Sequence, residues 1–222
     1  MLKKLFYVAV VLFFGGFAAS LASADTVSLA YQGVQNSATV GIDGAYTGDV
    51  LAGNYTVTYS TEPATLVYGY CVDPQIISAQ GAYQTYNLQS IPEGSPFEAA
   101  AWILSQGYAP ALAPAAQVAV WELTWDGLDG PDLNSGDFRL TNPNPTASPT
   151  PQLVTDAIDI YTAALAGMGA NFDQSKLVLA TNASYQNFVL TPPGHVPVPP
   201  SVLLMGSGLL GLALLGFRRT RA

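Results

Sequence analysis

The chain has one cysteine and one histidine among 222 residues. Cys71 therefore has no partner for an internal disulfide, and with His195 it falls short of any zinc ligand set, so no metal is expected. His195 lies in a Pro-rich stretch, where nothing packed would hold it beside a thiol, which argues against a Cys–His protease. Positive charge is scarce as well. Of seven Lys and Arg, Lys3, Lys4, Arg218, Arg219 and Arg221 stand in the terminal segments. Arg139 and Lys176 alone face all 15 acidic residues, which lie between Asp25 and Asp173. A body this acidic repels nucleic acid and anionic lipid, so no nucleic-acid partner is expected. It suits an exported, soluble protein, or one that binds cations or neutral glycans. No internal repeat is visible.

Both ends carry addresses. Residues 1–24 read as a secretory signal peptide: Lys3 and Lys4, an apolar stretch from Leu5 to Phe17, and the small residues Ala22-Ser23-Ala24 before Asp25. At the other end, the uncharged apolar run 202–217 precedes Arg218 and Arg219 in the basic tail 218–222. It is short against the roughly 20 residues of an ordinary membrane span. It reads as a transmembrane sorting helix with its arginines inside, which leaves the body outside.

Between body and helix, residues 191–201 form a Pro-rich linker ending in Val196-Pro197-Val198-Pro199-Pro200-Ser201. Pro motif, Gly-containing apolar helix and Arg cluster together resemble the PEP-CTERM sorting tails of Gram-negative bacteria, in a VPxP variant with Val198 where Glu is usual. Val196, Pro197, Pro199, Arg218 and Arg219 carry the resemblance. It implies an exosortase-type processing enzyme as partner, transient membrane anchoring, and delivery to the cell envelope or extracellular matrix.

The body, residues 25–190, is long enough for one domain with its own core. Thr26 to Ala30, Ala38 to Ile42, Tyr55 to Tyr59 and Leu66 to Val72 are β-rich runs, with Gly33, Asp43-Gly44, Gly48-Asp49 and Gly53-Asn54 as turn signals. Ser95-Pro96-Phe97-Glu98 is a capping box that opens a helix with Phe97, Ala100, Ala101 and Leu104 as its apolar stripe and Gly107 as its cap. A second helix is predicted from Pro114 to about Thr124, apolar nearly all round and hence buried, with Gln117, Val120, Trp121 and Thr124 on one face. A third runs from Pro151 to about Ala166, with Leu153, Ala157, Ile160, Tyr161 and Ala164 inward. Leu177 to Ala180 and Phe188 to Leu190 close the domain as strands. This order predicts an α+β domain, a β-barrel or sandwich with a helical subdomain.

Cys71 is a free thiol, an intermolecular link, or a group consumed by other chemistry. A thiolate can attack a side-chain carboxamide, expel ammonia and leave a thioester, given activated sulfur, fixed geometry and support for the oxyanion. With Pro114 first in its helix, Gln117 falls in the first turn. Cys71 beside it would face the positive end of the helix, which lowers a thiol's pKa, and unpaired N–H groups there would hold the oxyanion. Trp102 or Trp121 would exclude water. Asp73 and Glu122 are candidate bases.

Tyr70-Cys71-Val72-Asp73 and Ala116-Gln117-Val118-Ala119-Val120-Trp121-Glu122 resemble the two motifs of bacterial Cys–Gln thioester domains, the second TQxA-like with Ala116 in place of Thr. Leu133 to Phe138 is similar to a turn that follows in PEP-CTERM relatives. The resemblance spans roughly residues 65–190. It implies a Cys71–Gln117 cross-link, with Tyr70, Asp73, Ala119, Trp121 and Glu122 in support, and a single-turnover covalent adhesin or cross-linker rather than a turnover enzyme. Its partner would be a surface amine or hydroxyl of a protein or glycan, with no cofactor. The alternative is a non-covalent structural or glycan-binding matrix protein in which Cys71 is a core residue. Asp126, Asp129, Asp132, Asn134 and Asp137 offer oxygen ligands for calcium but lack a full binding-loop pattern, so a solvated acidic turn is expected. The sequons at Asn54 and Asn182 read as turns.

Overall fold

The computed structural model describes residues 25–44, 46–73, 80–141, 150–169 and 172–192. The expected signal peptide 1–24, the expected linker and sorting motif beyond Pro192 with His195, Val196, Pro197 and Pro199, the expected sorting helix 202–217 and the basic tail with Arg218 and Arg219 lie outside the described residues.

The described residues form seven strands: β1 (Asp25–Gly44), β2 (Gly48–Tyr59), β3 (Glu62–Cys71), β4 (Tyr83–Gln89), β5 (Phe138–Thr141), β6 (Val178–Thr181) and β7 (Phe188–Leu190). All pairings are antiparallel. The order β1-β2-β3-β7-β6-β4 returns to β1 and closes a six-stranded barrel, while β5 adds to the far end of β1. A barrel with helices against it is one of the two α+β architectures expected, and closure pairs both edges of the six-stranded sheet.

The two runs expected as separate strands around Gly33 are one strand. Instead of a turn, β1 carries bulges between Tyr31 and Gly33 and between Gln35 and Ala38, with Gly33 at φ 127 and Asn36 at φ 51. Bulges bend a strand and sharpen its twist. This lets β1 pair with β4 at its start, β2 along its length and β5 at its end. Gly53 likewise is no turn residue. It lies inside β2, where a Cβ would stand 2.7 Å from the Gln35 carbonyl oxygen at the bulge. Asn54, read as a turn, is within β2 too.

Three helices follow the expected positions: α1 (Pro96–Ser105), α2 (Ala113–Asp126) and α3 (Pro151–Gly167). Ser95 caps α1 by accepting from the Glu98 N–H at 3.3 Å. The reciprocal half of the capping box is absent. The buried Glu98 carboxylate accepts instead from Gly94 N (2.6 Å) and Gly169 N (3.0 Å), which ties the start of α1 to the end of α3. The inward face of α1 is rotated from the expected stripe: Ala99, Ala100, Ala101 and Ile103 are buried, Phe97 and Leu104 only half-buried. Gly107, at φ 59, donates to Leu104 O just beyond the helix, as a left-handed cap does. On α3, Ala157, Ile160, Tyr161 and Ala164 are buried as expected, and Leu153 is half-buried.

Helix α2 is the spine of the domain. Ten of its residues are buried, from Ala113 to Leu123, because it lies between β2 and the other two helices. Its small residues Ala115, Ala116 and Ala119 let these neighbours approach closely. Trp121 and Trp125 pack on Phe138 of β5, with ring centroids 6.0 and 6.1 Å away.

Candidate functional site at the end of strand β3

Cys71 is the last residue of β3 and is wholly buried. On one side, β3 pairs with β7 through Gly69, Tyr70 and Cys71, and Val72 N continues this contact by donating to Asn187 O at 3.0 Å. Peptide groups alternate direction along a strand. The N–H and C=O of Cys71 therefore point the other way, toward β2. The pairing with β2 ends at Gly69, so these two polar groups need another partner.

Gln117 of α2 supplies it. Cys71 N donates to Gln117 Oε1 at 3.1 Å, and Gln117 Nε2 donates to Cys71 O at 2.7 Å. The carboxamide stands in for an adjacent strand, and its carbon is clamped against the residue that carries the thiol. The sulfur is held locally: Sγ donates to Asp73 O at 3.0 Å and accepts from Asp73 N at 3.4 Å. Thr124, two turns along α2 from Gln117, has one hydroxyl proton with two main-chain acceptors in reach, Val120 O of its own helix at 2.9 Å and Val72 O at 3.0 Å, and this shared bond ties the strand exit to the helix.

Three electronic expectations change. Gln117 lies in the second turn of α2, since the helix begins at Ala113, so free N–H groups of the first turn are not the oxyanion support. The Cys71 N–H already bonds the oxygen that would carry the negative charge. The thiol pKa is raised, not lowered, because burial outweighs the favourable contacts from Asp73 N–H and Trp121, and the negative charge of Asp73 adds to the rise. Trp121 is fully buried and its Nε1 makes no hydrogen bond, yet its indole favours the Cys71 thiolate.

The remaining sequence-predicted residues divide. Ala119 is fully buried on α2, and Tyr70 is buried. Burial and the nearby Tyr108 push the Tyr70 phenol far up. Glu122 engages the acidic turn. Its Oε1 accepts from Asp132 N at 2.7 Å, and Oε2 is buried without a partner. Burial, with the like charges of Asp126 and Asp132, pushes its pKa up to about 7 despite that bond. Trp102 does not shield the site. It lies against Gly167, where a Cβ would meet its indole.

The 126–137 turn is built from its own acids. Asp126 accepts from Asp137 N (2.5 Å) and Phe138 N (3.1 Å), and Asp132 accepts from Asn134 N and the Ser135 hydroxyl. Among the described residues no group of three His, Cys, Asp or Glu is placed to hold a metal ion.

A cleft of 280 Å³ opens beside the pair, lined by Val72, Asp73, Thr124, Phe97, Trp125 and Thr181 among others. A larger apolar groove of 810 Å³, under Leu66, Tyr68 and Phe172, contains none of the site residues. The sequence pattern singled out Cys71, Gln117 and Trp121. The tie from Thr124 to Val72 had no signal beyond a shared helix face.

Set beside known protein families, curated proteins and solved structures, the chain has no match in any of the three.

Proposed function

We propose that this chain is an exported surface or matrix protein that forms an internal Cys71–Gln117 thioester and acylates a nucleophile on a partner. The observation that carries this reading is the reciprocal pair of hydrogen bonds between the Gln117 carboxamide and the Cys71 main chain. Sγ attacks the Gln117 carbonyl carbon, and the Cys71 N–H steadies the oxyanion on Oε1. The C–N bond breaks, the thiol proton leaves with nitrogen, and ammonia departs. The product is a buried thioester, shielded from water by Trp121 and Ala119. An amine or hydroxyl then takes the acyl group and returns the proton to sulfur.

The terminal signals support the route. A signal-peptide-like start at 1–24, the Pro motif at Val196, Pro197 and Pro199, and the apolar run 202–217 with Arg218 and Arg219 fit export and sorting by an exosortase-type enzyme. The body would lie in the cell envelope or matrix, as a covalent adhesin or cross-linker rather than a turnover enzyme.

A second reading has an observation of its own. The Gln117 carboxamide satisfies a buried main chain, and burial raises the Cys71 thiol pKa, as in an inert structural core of a non-covalent matrix protein. Intact mass of the purified chain separates the two. A thioester gives a deficit of one ammonia that methylamine converts to an adduct with a titratable thiol. Cys71→Ala and Gln117→Ala each abolish the deficit. A full mass with a free thiol in the native protein would favour the structural reading.

A further inference from the structure

Both members of the pair are wholly buried, so a partner group cannot reach them without an opening. The 280 Å³ cleft is placed to provide it. Cys71 and Gln117 do not line it, but Val72 and Asp73, the next two residues of the chain, do. The sulfur touches the Asp73 main chain at 3.0 and 3.4 Å, so one peptide segment separates it from the cleft. That segment is pinned from two sides, by Val72 N to Asn187 O and by the Thr124 hydroxyl, which Val72 O shares with Val120 O, the two contacts to Val72 each at 3.0 Å.

We propose that this cleft is the port through which a partner's nucleophile reaches the Cys71–Gln117 acyl bond, and that the Thr124 bond to Val72 holds it shut. The inference rests on the thioester reading above. Phe97 and Trp125 contribute aromatic surface to the lining, which suits the methylene stem of a partner group. Asp73 is the acidic residue of this lining, on the side of the sulfur. The partner group is thus a primary amine or primary hydroxyl on a methylene stem. Its lone pair forms a bond to the Gln117 carbonyl carbon as the C–S bond breaks. The sulfur keeps that electron pair and takes the proton from the nucleophile.

The test follows uptake of methylamine and tert-butylamine by intact mass, on the full chain and two variants. Thr181→Trp fills the cleft away from the reacting atoms; it keeps the ammonia deficit and slows methylamine uptake by about tenfold or more. Thr124→Val keeps the shape, frees Val72 O and speeds uptake. Wild type prefers methylamine over tert-butylamine by a larger ratio than a small free thioester does in the same buffer. Unchanged rates in both variants overturn the port, as does a wild-type ratio equal to that of the free thioester, which needs no variant to fold. Absence of the deficit in wild type instead removes the thioester reading, and the port with it.

Discussion

The buried indole N–H of Trp121, one helical turn beyond Gln117, makes no hydrogen bond, yet Trp121 favours the Cys71 thiolate. A buried donor without a partner costs free energy, about 1–3 kcal/mol. Here it opposes the burial that raises the thiol pKa. Trp121→Phe keeps an aromatic ring and removes the donor. The variant is expected to form the thioester more slowly, so that freshly purified protein contains a mixture of full-mass and ammonia-deficient chains. The ratio measured against time after synthesis checks this. Full and immediate conversion would assign Trp121 to packing alone.

Glu122 makes stability fall as pH rises. Its folded pKa of about 7 stands above the ordinary 4.5, so the folded protein binds the proton more tightly than the unfolded chain. The contribution is complete below the unfolded value and is lost as pH rises through the folded one. Between about pH 4.5 and 7 the loss amounts to roughly 3 kcal/mol at most, because each pH unit between the two values is worth about 1.4 kcal/mol. Urea denaturation across this range, with Glu122→Gln beside wild type, measures it. The variant is expected to show the shallower dependence.

The Asp43–Arg139 ion pair, 2.7 Å long, joins β1 to β5 and acts in the opposite direction. The bond from Arg139 holds the Asp43 carboxyl below its ordinary value, so its contribution is present above the unfolded pKa and lost on acidification. Both side chains are about a third exposed or more, so salt screens the pair. Asp43→Asn is expected to change stability only slightly at neutral pH and to soften the acid limb of the profile measured by urea denaturation.

Gly69 is where the barrel closes beside the site. A Cβ there would meet the Leu190 side chain and stand 2.6 Å from Val189 O, a main-chain atom that cannot give way cheaply. Gly69→Ala is expected to cost about 1–3 kcal/mol. It would also shift Cys71 from Gln117, so the ammonia deficit should shrink along with the melting temperature. A loss of stability with the deficit intact would show that the clamp survives a displaced β3–β7 junction.

Asp126 holds the turn after α2 through the Asp137 and Phe138 N–H groups. Asp126→Ala leaves both donors to solvent and is expected to cost about 1–3 kcal/mol by urea denaturation. Phe138 packs on Trp121, so this loss reaches the site indirectly.

Local chemistry makes much of this molecule legible in advance. Helix positions follow from caps and period: Ser95 before Pro96, Pro151 at the head of the third helix, and the nearly unbroken apolar run from Pro114 to Leu123. Cys71 and Gln117 stand out by their flanking residues and by the lack of any other cysteine. Strands are harder to read. Gly33 and Gly53 look like turns because glycine permits turns, yet both serve a bulge whose need arises only when a long strand curls around a barrel. Strands β4 and β5 carry little local signal because their pairing partner is the distant β1.

What the sequence alone determined is the identity of the candidate reacting groups and the helix that carries one of them, since both depend on residues near in the chain. Tertiary structure decided the rest. It moved Gln117 into the second turn, set a main-chain N–H of Cys71 against the carboxamide oxygen, and raised the thiol pKa where the helix end was expected to lower it. It also turned Glu122 toward the acidic turn and Thr124 toward Val72. These outcomes depend on which main-chain polar groups barrel closure leaves unpaired and how deeply they are buried, and no stretch of neighbouring residues encodes that.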